Sequence, residues 1–392
     1  GSADELGING PQVVIGTINQ SIPAGGAVPA SFITTQAGFP ASLDSPASFN
    51  PVNANVAYIP RDTRWPYVQN WFASVQRELV KHWVLEIGYT GSHGVRLPIL
   101  ADYNQALPNL PGASLGIQPR RPNQSFGAIT WVNPSGQTTY NGFSARVERR
   151  FASGLYFLNS FTWAKAMGNS EQSLENPSGY ALANPQNIYN LKAERGPSAY
   201  DVKLMNVTSI LYQLPFGKGR QFGASWGGPL DAILGGWALN TIHSMNTGVP
   251  LNIVYTPAAA LDGTGRLADY RGVASQRPNI VGDTTRPTGV AQNDQYWNKA
   301  AFAMPTASAP YGNLGRNAMR GPNFWQWDLG VNKSFKIPAR EGMALQFRSE
   351  FFNFLNHTNF GTPDCNISSA SFATIKTASP QRQIQLALKL TF

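Results

Sequence analysis

Charge is scarce in this chain: only 13% of its 392 residues are Asp, Glu, Lys or Arg, against about 25% in an ordinary soluble domain. With 42% hydrophobic residues beside it, so low a charge fraction suits an outer surface that meets lipid. Long apolar runs are missing too. No stretch reaches the roughly 18 residues of a membrane-crossing helix, so a membrane reading admits only strands closed into a barrel, which leaves no backbone group unpaired. Cysteine is nearly absent, and Cys365 alone excludes an intramolecular disulfide framework and a multi-cysteine metal site. No charged segment followed by an apolar run opens the chain at Gly1-Ser2-Ala3-Asp4, so a secretory leader is expected to be cleaved or to lie outside this piece. Dense basic runs are lacking as well. Net charge is +9 and the pI about 9.6, but the basic residues cluster only as dipeptides such as Arg120-Arg121 and Arg149-Arg150, which argues against nucleic acid.

What is present is turn chemistry and alternation. The 38 Gly and 29 Pro point to many turns and long irregular connections. Residues 1–64 read as a Gly/Pro-rich loop region with a possible strand at 11–19, and residues 65–392 as a barrel segment. From 65 onward, segments of about ten residues alternate apolar and polar side chains, the period-two pattern of a strand with two unlike faces. The pattern is clearest at 83–90, 143–148, 325–334, 345–350 and 384–392, and less regular at 67–78, 155–166, 202–214 and 233–247. These nine strands, or ten with 11–19, predict an all-β, antiparallel transmembrane barrel that is only partial.

Connection lengths alternate. The long ones are 91–138, 167–200, 249–323 and 355–380, and the short ones 79–82, 149–154, 215–232 and 336–342. Outer-membrane barrels have short periplasmic turns and long extracellular loops. Placing residue 392 in the periplasm puts every short connection on that side. Aromatic residues fall near strand ends: Trp65, Tyr67, Trp71, Trp325 and Trp327 begin strands at the outer rim. Tyr89, Phe161 and Trp163 end strands there, and Trp83, Phe335 and Phe392 lie near the inner rim. Trp65, Trp71, Trp83, Tyr89, Trp163, Trp325 and Trp327 therefore form the expected aromatic girdle, although aromatics are common in soluble strands too.

Enzyme chemistry finds little support. His82, His93, His243 and His357 have no ligand spacing, so no metal or catalytic site is expected, and no cofactor. Gly217-Lys218-Gly219 lacks the rest of a phosphate loop and reads as a hairpin turn. If Trp325, Trp327, Leu345 and Phe347 face lipid, then Asp328, Arg348 and Glu350 face the lumen, as do Glu86, Arg146 and Glu148. Pairing 325–335 with 343–354 across the short turn is expected to set Asp328 near Glu350, with Arg348 one diagonal step away to relieve the like charges. Such a wall could contact a plug or a solute, or it could be a solvated charge ladder of the kind general to barrel interiors.

Several strings carry a family resemblance: TRWPYVQNWFASVQREL (63–79), EIGYTGSHG (86–94), YNGFSARVERRFASGLYFLNSFTWAKAM (140–167), LPFGKGRQFG (214–223), ILGGWALN (233–240), YGNLGRNAMRGPNFWQWDLGVNKSF (311–335) and LQFRSEFFNFLNHTNFGTP (345–363). In this order, from about residue 50 onward, the chain resembles the C-terminal barrel of TonB-dependent outer-membrane receptors of the Oar-like type, which carry a carboxypeptidase-regulatory-like domain and are common in Acidobacteria. The resemblance implies a 22-stranded transporter of the bacterial outer membrane. It also implies a plug domain, the TonB system and lipid as partners, with the solute unspecified. No counterpart of the plug or of the TonB-engaging segment is visible in these residues. The last strand resembles the signal read by the barrel assembly machinery, through Phe392 and the face formed by Ile384, Leu386, Leu388 and Leu390. A plug-gated importer is thus the first expectation. A barrel-derived structural or adhesive surface protein acting through its long loops is the alternative.

Overall fold

The computed structural model describes residues 52, 56–58, 60–61, 64–113, 115–169, 185–256, 276–306, 308–337 and 343–392. The candidate strand at 11–19 lies outside the described residues. Nine long strands form one antiparallel meander: β1 (Tyr67–Val80), β2 (Trp83–Asp102), β3 (Ile129–Ala152), β4 (Leu155–Gly168), β5 (Leu204–Gln213), β6 (Trp237–Asn246), β7 (Phe324–Lys336), β8 (Ala344–Phe352) and β9 (Gln383–Thr391). Each pairs with the next in sequence. Each of the nine alternating segments contains a strand, although the segment expected at 233–247 begins as one only at Trp237, because residues 233–234 end a short helix. Among the described residues, β1 and β9 are each paired on one side only. No described helix is long and apolar enough to cross a membrane.

Turns at one end are tight. Ser153 and Gly154, both at positive φ (50° and 78°), make the two-residue hairpin between β3 and β4, the backbone that matches the twist of paired strands. Residues 81–82 join β1 to β2, and 337–343 join β7 to β8. The connection 214–236 carries a short helix, α1 (Gly228–Leu234). The other end holds 103–128, 169–203, 247–323 and 353–382.

Two strands run past their expected limits. β2 and β3 have 20 and 24 residues, roughly 65–80 Å at about 3.3 Å per residue, whereas about 10 residues of tilted strand cross the membrane. Their outer halves therefore rise beyond the bilayer as a hairpin, and the expected loop 91–138 shrinks to 103–128. Tyr89 consequently sits within β2 rather than at its end. The extension contains Pro98 and Pro134, and proline cannot donate to a ladder. Both lie where the register slips, between Leu97↔Gly136 and Ile99↔Asn133. Val56–Tyr58, in the stretch read as loop, pairs parallel with Ile129–Trp131 at this outer hairpin.

The described parts of the two longest connections of this end, 247–323 and 353–382, make a folded body rather than irregular loops. Leu251, Ile253, Trp297, Ala301, Phe302, Leu314, Cys365, Phe372 and Ala373 form a hydrophobic core drawn entirely from 247–323 and 353–382. Backbone bonds stitch the two segments, with Val254 N donating to Cys365 O (2.9 Å), Ile367 N to Val254 O (2.9 Å) and Tyr296 N to Ala373 O (2.7 Å).

Candidate functional site: a polar wall beneath a folded outer cap

Directly opposed residues of antiparallel strands share a face, so the register sorts every side chain. One row runs Gln76↔Glu86↔Arg146↔Ser160↔Val207↔Ser244↔Gln326 across seven strands. Another runs Leu211↔Asn240↔Gly330↔Glu350↔Gln385. Glu86, Arg146, Glu148, Asp328, Arg348 and Glu350 all fall on this polar face. The opposite face carries rows such as Tyr89↔Phe143↔Trp163↔Leu204 and Tyr212↔Leu239↔Val331.

The two acidic–basic groups of the wall differ. Arg146 Nη2 donates to Glu148 Oε2 at 2.8 Å, and its Nη1 lies 3.9 Å from Glu86 Oε2. Arg146 is exposed and the two glutamates are half-buried, with side-chain exposures of 45%, 38% and 24% for Arg146, Glu86 and Glu148, so each pair is screened by water and contributes at most about 1 kcal/mol. The grouping of Asp328, Glu350 and Arg348 is corrected. Glu350 stands opposite Gly330 and Arg348 opposite Asn332, which leaves Asp328 a diagonal step from Glu350 and farther from Arg348. The reason is the register of β7 against β8, which Ile337 N donating to Met343 O (2.9 Å) continues just past their ends. Asp328 instead accepts from Gln326 Nε2 (2.8 Å) and from Asn353 N (2.8 Å), while Arg348 Nε donates to Gln346 Oε1 (3.0 Å).

Girdle aromatics lie on the apolar face with specific neighbours. The Trp71 indole crosses Gly91, where an added Cβ would clash with the ring at its Nε1 edge. Tyr89 Oη donates to Asn141 Oδ1 (2.7 Å), and the Trp83 ring lies 5.7 Å from that of Phe157. Trp163 is exposed, and Trp65 precedes β1, largely free of contact. Trp327 Nε1 donates to Thr241 Oγ1. Trp325 has His243 at 5.4 Å and His357 at 5.0 Å, edge-on. Two histidines without ligand spacing thus meet on one indole as ring packing. No cluster of three metal-binding side chains occurs among the described residues. On β9, Ile384, Leu386, Leu388 and Leu390 point to the apolar face opposite Phe351, Ser349, Phe347 and Leu345, and Phe392 is exposed beyond the strand.

Sequence reasoning missed the polar framework of the cap. Arg277 Nη1 and Nη2 donate to Glu194 Oε2 (2.7 Å) and Oε1 (3.0 Å), and Arg277 Nε donates to Leu314 O (2.9 Å). Gln186 sits at the junction: its N donates to Glu194 Oε1 (3.1 Å), its Nε2 to Gly312 O (3.2 Å), and its Oε1 accepts from Arg277 N (3.2 Å). Gln105 ties in the first loop, with its Nε2 donating to Gln186 O (2.9 Å) and its Oε1 accepting from Ile188 N (2.8 Å). Arg121 Nη1 donates to Asp102 Oδ2 (2.9 Å) at the tip of β2. Arg320 pairs with Asp201, and a shallow pocket lined by Tyr140, Thr162, Ala164, Tyr200, Asp201 and Met205 marks where the cap meets the wall. Buried charges persist where they are paired and hydrogen-bonded. No local period announces such residues.

The arrangement is a wall of nine strands with a polar side and an apolar side, bearing at one end a folded body to which described parts of all four long connections contribute. The family described as "Outer membrane beta barrel domain" matches residues 1–385. Among solved structures, the chain is similar to the outer membrane transporter YddB from Escherichia coli, with 11% identity and a TM-score of 0.42, covering 86% of this chain and 34% of that one. It is also similar to the FrpB iron transporter from Neisseria meningitidis (F3-3 variant), with 10% identity and a TM-score of 0.37, covering 88% of this chain and 34% of that one. The chain therefore spans about a third of the length of these two structures. No curated protein matches it.

Proposed function

The chain belongs to the outer membrane beta barrel domain family, a component of the bacterial outer membrane, and from that premise we propose that it is the barrel portion of a TonB-dependent receptor of the Oar-like type. In this reading it imports a solute through a plug-gated pore. The observation that carries the reading is the set of charged groups that the register gathers on one face, Glu86, Arg146 and Glu148 on one part and Asp328, Arg348 and Glu350 on another, with Val207 and Leu211 of β5 between them. A lipid-exposed or dry interior would not hold these groups, whereas a water-filled lumen that grips a plug does. Solute specificity then resides where the outer body meets the wall, near Tyr140, Tyr200 and Asp201.

Metabolite depletion from a complex growth medium tests the reading and names the solute in the same measurement. Intact cells, cells lacking this protein and cells lacking TonB are compared by mass spectrometry. A compound depleted only when both are present is the expected result. A compound whose uptake needs this chain but ignores TonB overturns it. The independent core of the cap favours a second role, a surface protein acting through its outer body. In that case no compound depends on the chain, and attachment to surfaces falls when it is deleted.

A further inference from the structure

The periplasmic end holds one element that a plain hairpin does not need. In the connection 214–236, Leu230, Ile233 and Leu234 lie at i, i+3 and i+4 of α1 and so share one face. They are 45%, 67% and 48% exposed. The exposed rings of Phe216 and Phe222, 5.6 Å apart, lie in the same connection. Lys218 and Arg220 stand between those rings in sequence. The helix's one carboxylate is turned away: Asp231 Oδ1 accepts from Lys218 N (2.6 Å).

This element is seated on the lipid side of the wall. Trp237 Nε1 donates to Ile233 O (2.8 Å), and Lys333 Nζ donates to Asp231 O (3.2 Å). Trp237 and Lys333 are direct cross-strand partners, and both point to the apolar face, opposite Phe347 and beside Leu239 and Phe335. Lys333 is 4% exposed, with its ammonium 5.2 Å from the Trp237 ring centroid and 5.1 Å from that of Phe335. A cation on a lipid-facing surface is costly unless covered, and here rings and a helix carbonyl cover it. The apolar stripe of α1 thus continues the membrane-facing surface downward to the headgroup level.

We propose that the connection 214–236 is an interfacial foot that binds the inner leaflet of the outer membrane. Leu230, Ile233 and Leu234, with Phe216 and Phe222, enter the boundary between headgroups and acyl chains. Lys218 and Arg220 meet the phosphates of anionic phospholipid. An amphipathic helix in this position binds through apolar area together with attraction to anionic lipid.

The full chain carrying Cys365→Ala is labelled with an environment-sensitive fluorophore at Ile233→Cys or, as a control, at Ser153→Cys in the tight turn on the same side. Heat-modifiable gel mobility establishes folding in vesicles of phosphatidylcholine with or without phosphatidylglycerol. Brominated lipid is expected to quench the label at 233 at least twofold more than the label at 153, and aqueous iodide to do the reverse. Phosphatidylglycerol deepens the quenching at 233, and Lys218→Gln with Arg220→Gln removes that increment. A label at 233 as open to iodide as the one at 153 overturns the proposal, as does one that gains burial only when a periplasmic extract is added. Immersion indifferent to phosphatidylglycerol overturns the role given to Lys218 and Arg220.

Discussion

Arg277 and Glu194 form a two-pronged ion pair, both side chains 1% exposed, that joins two loops of the outer cap. Removing one partner leaves the other charge buried and unpaired, a cost of about 3–5 kcal/mol. Arg277→Leu or Glu194→Ala is therefore expected to open the cap while the strands stay folded. Protease treatment of whole cells checks this: cleavage within 185–203 or 276–323 rises in either variant, and heat-modifiable mobility of the barrel persists. The paired change Arg277→Met with Glu194→Leu costs less than the sum of the single changes, because no orphan charge remains.

Cys365 reports on the same body. It is fully buried in the cap core, and burial pushes its thiol from an ordinary 9.0 up to about 12, with the neighbouring Asp364 adding to the rise. Because the folded thiol holds its proton more tightly, its contribution is complete below about 9 and is lost as pH climbs toward about 12. Two outcomes follow. Maleimide leaves Cys365 unmodified in the intact protein at pH 7.5 (a roughly neutral labelling condition) and modifies it in Glu194→Ala. Cap opening, followed by protease sensitivity, becomes easier across the alkaline range.

At the outer rim, the Trp71 ring occupies the space that any side chain at position 91 would need. Gly91→Val must displace the indole or bend β2, a cost of about 1–3 kcal/mol in a packed setting. In the Trp71→Ala background the same change is nearly neutral. Urea unfolding of the four variants in vesicles gives the coupling directly, and equal costs in both backgrounds would refute the contact as the cause.

Strands were legible because alternation is a local property. Leu386, Leu388 and Leu390 alternate with Ala387 and Lys389 whatever they pair with, and the same holds for Trp325 to Val331. Register was not legible: nothing near Glu350 specifies Gly330 as its partner, since the choice is made by how the whole length of β7 meets β8. The outer halves of β2 and β3 fell inside the connection expected at 91–138, and their ladder carries Pro98 and Pro134, both absorbed where its register slips. The cap was hidden for a deeper reason. Arg277, Glu194, Gln186 and Gln105 satisfy one another across long stretches of chain, and each alone looks like an ordinary polar loop residue. Asn159, Asn206 and Thr208 illustrate the same limit on the apolar face. Asn159 Nδ2 donates to both partners, at 2.7 and 2.8 Å, so polar side chains break the alternation without being unsatisfied.

The division of faces makes a sharp demand on β9. Leu386 lies on the apolar face opposite Ser349, and Ala387 on the polar face opposite Arg348. A cation facing hydrocarbon near the middle of the bilayer costs about 2–4 kcal/mol, whereas lumen positions tolerate it. Leu386→Arg is thus expected to lower the folded fraction sharply in a urea titration in vesicles. Ala387→Lys adds a charge next to Arg348 but stays in water, so its cost remains within about 1 kcal/mol. A reversed order, with Ala387→Lys the more damaging, would place the polar face against lipid and overturn the assignment of the wall on which the import reading rests.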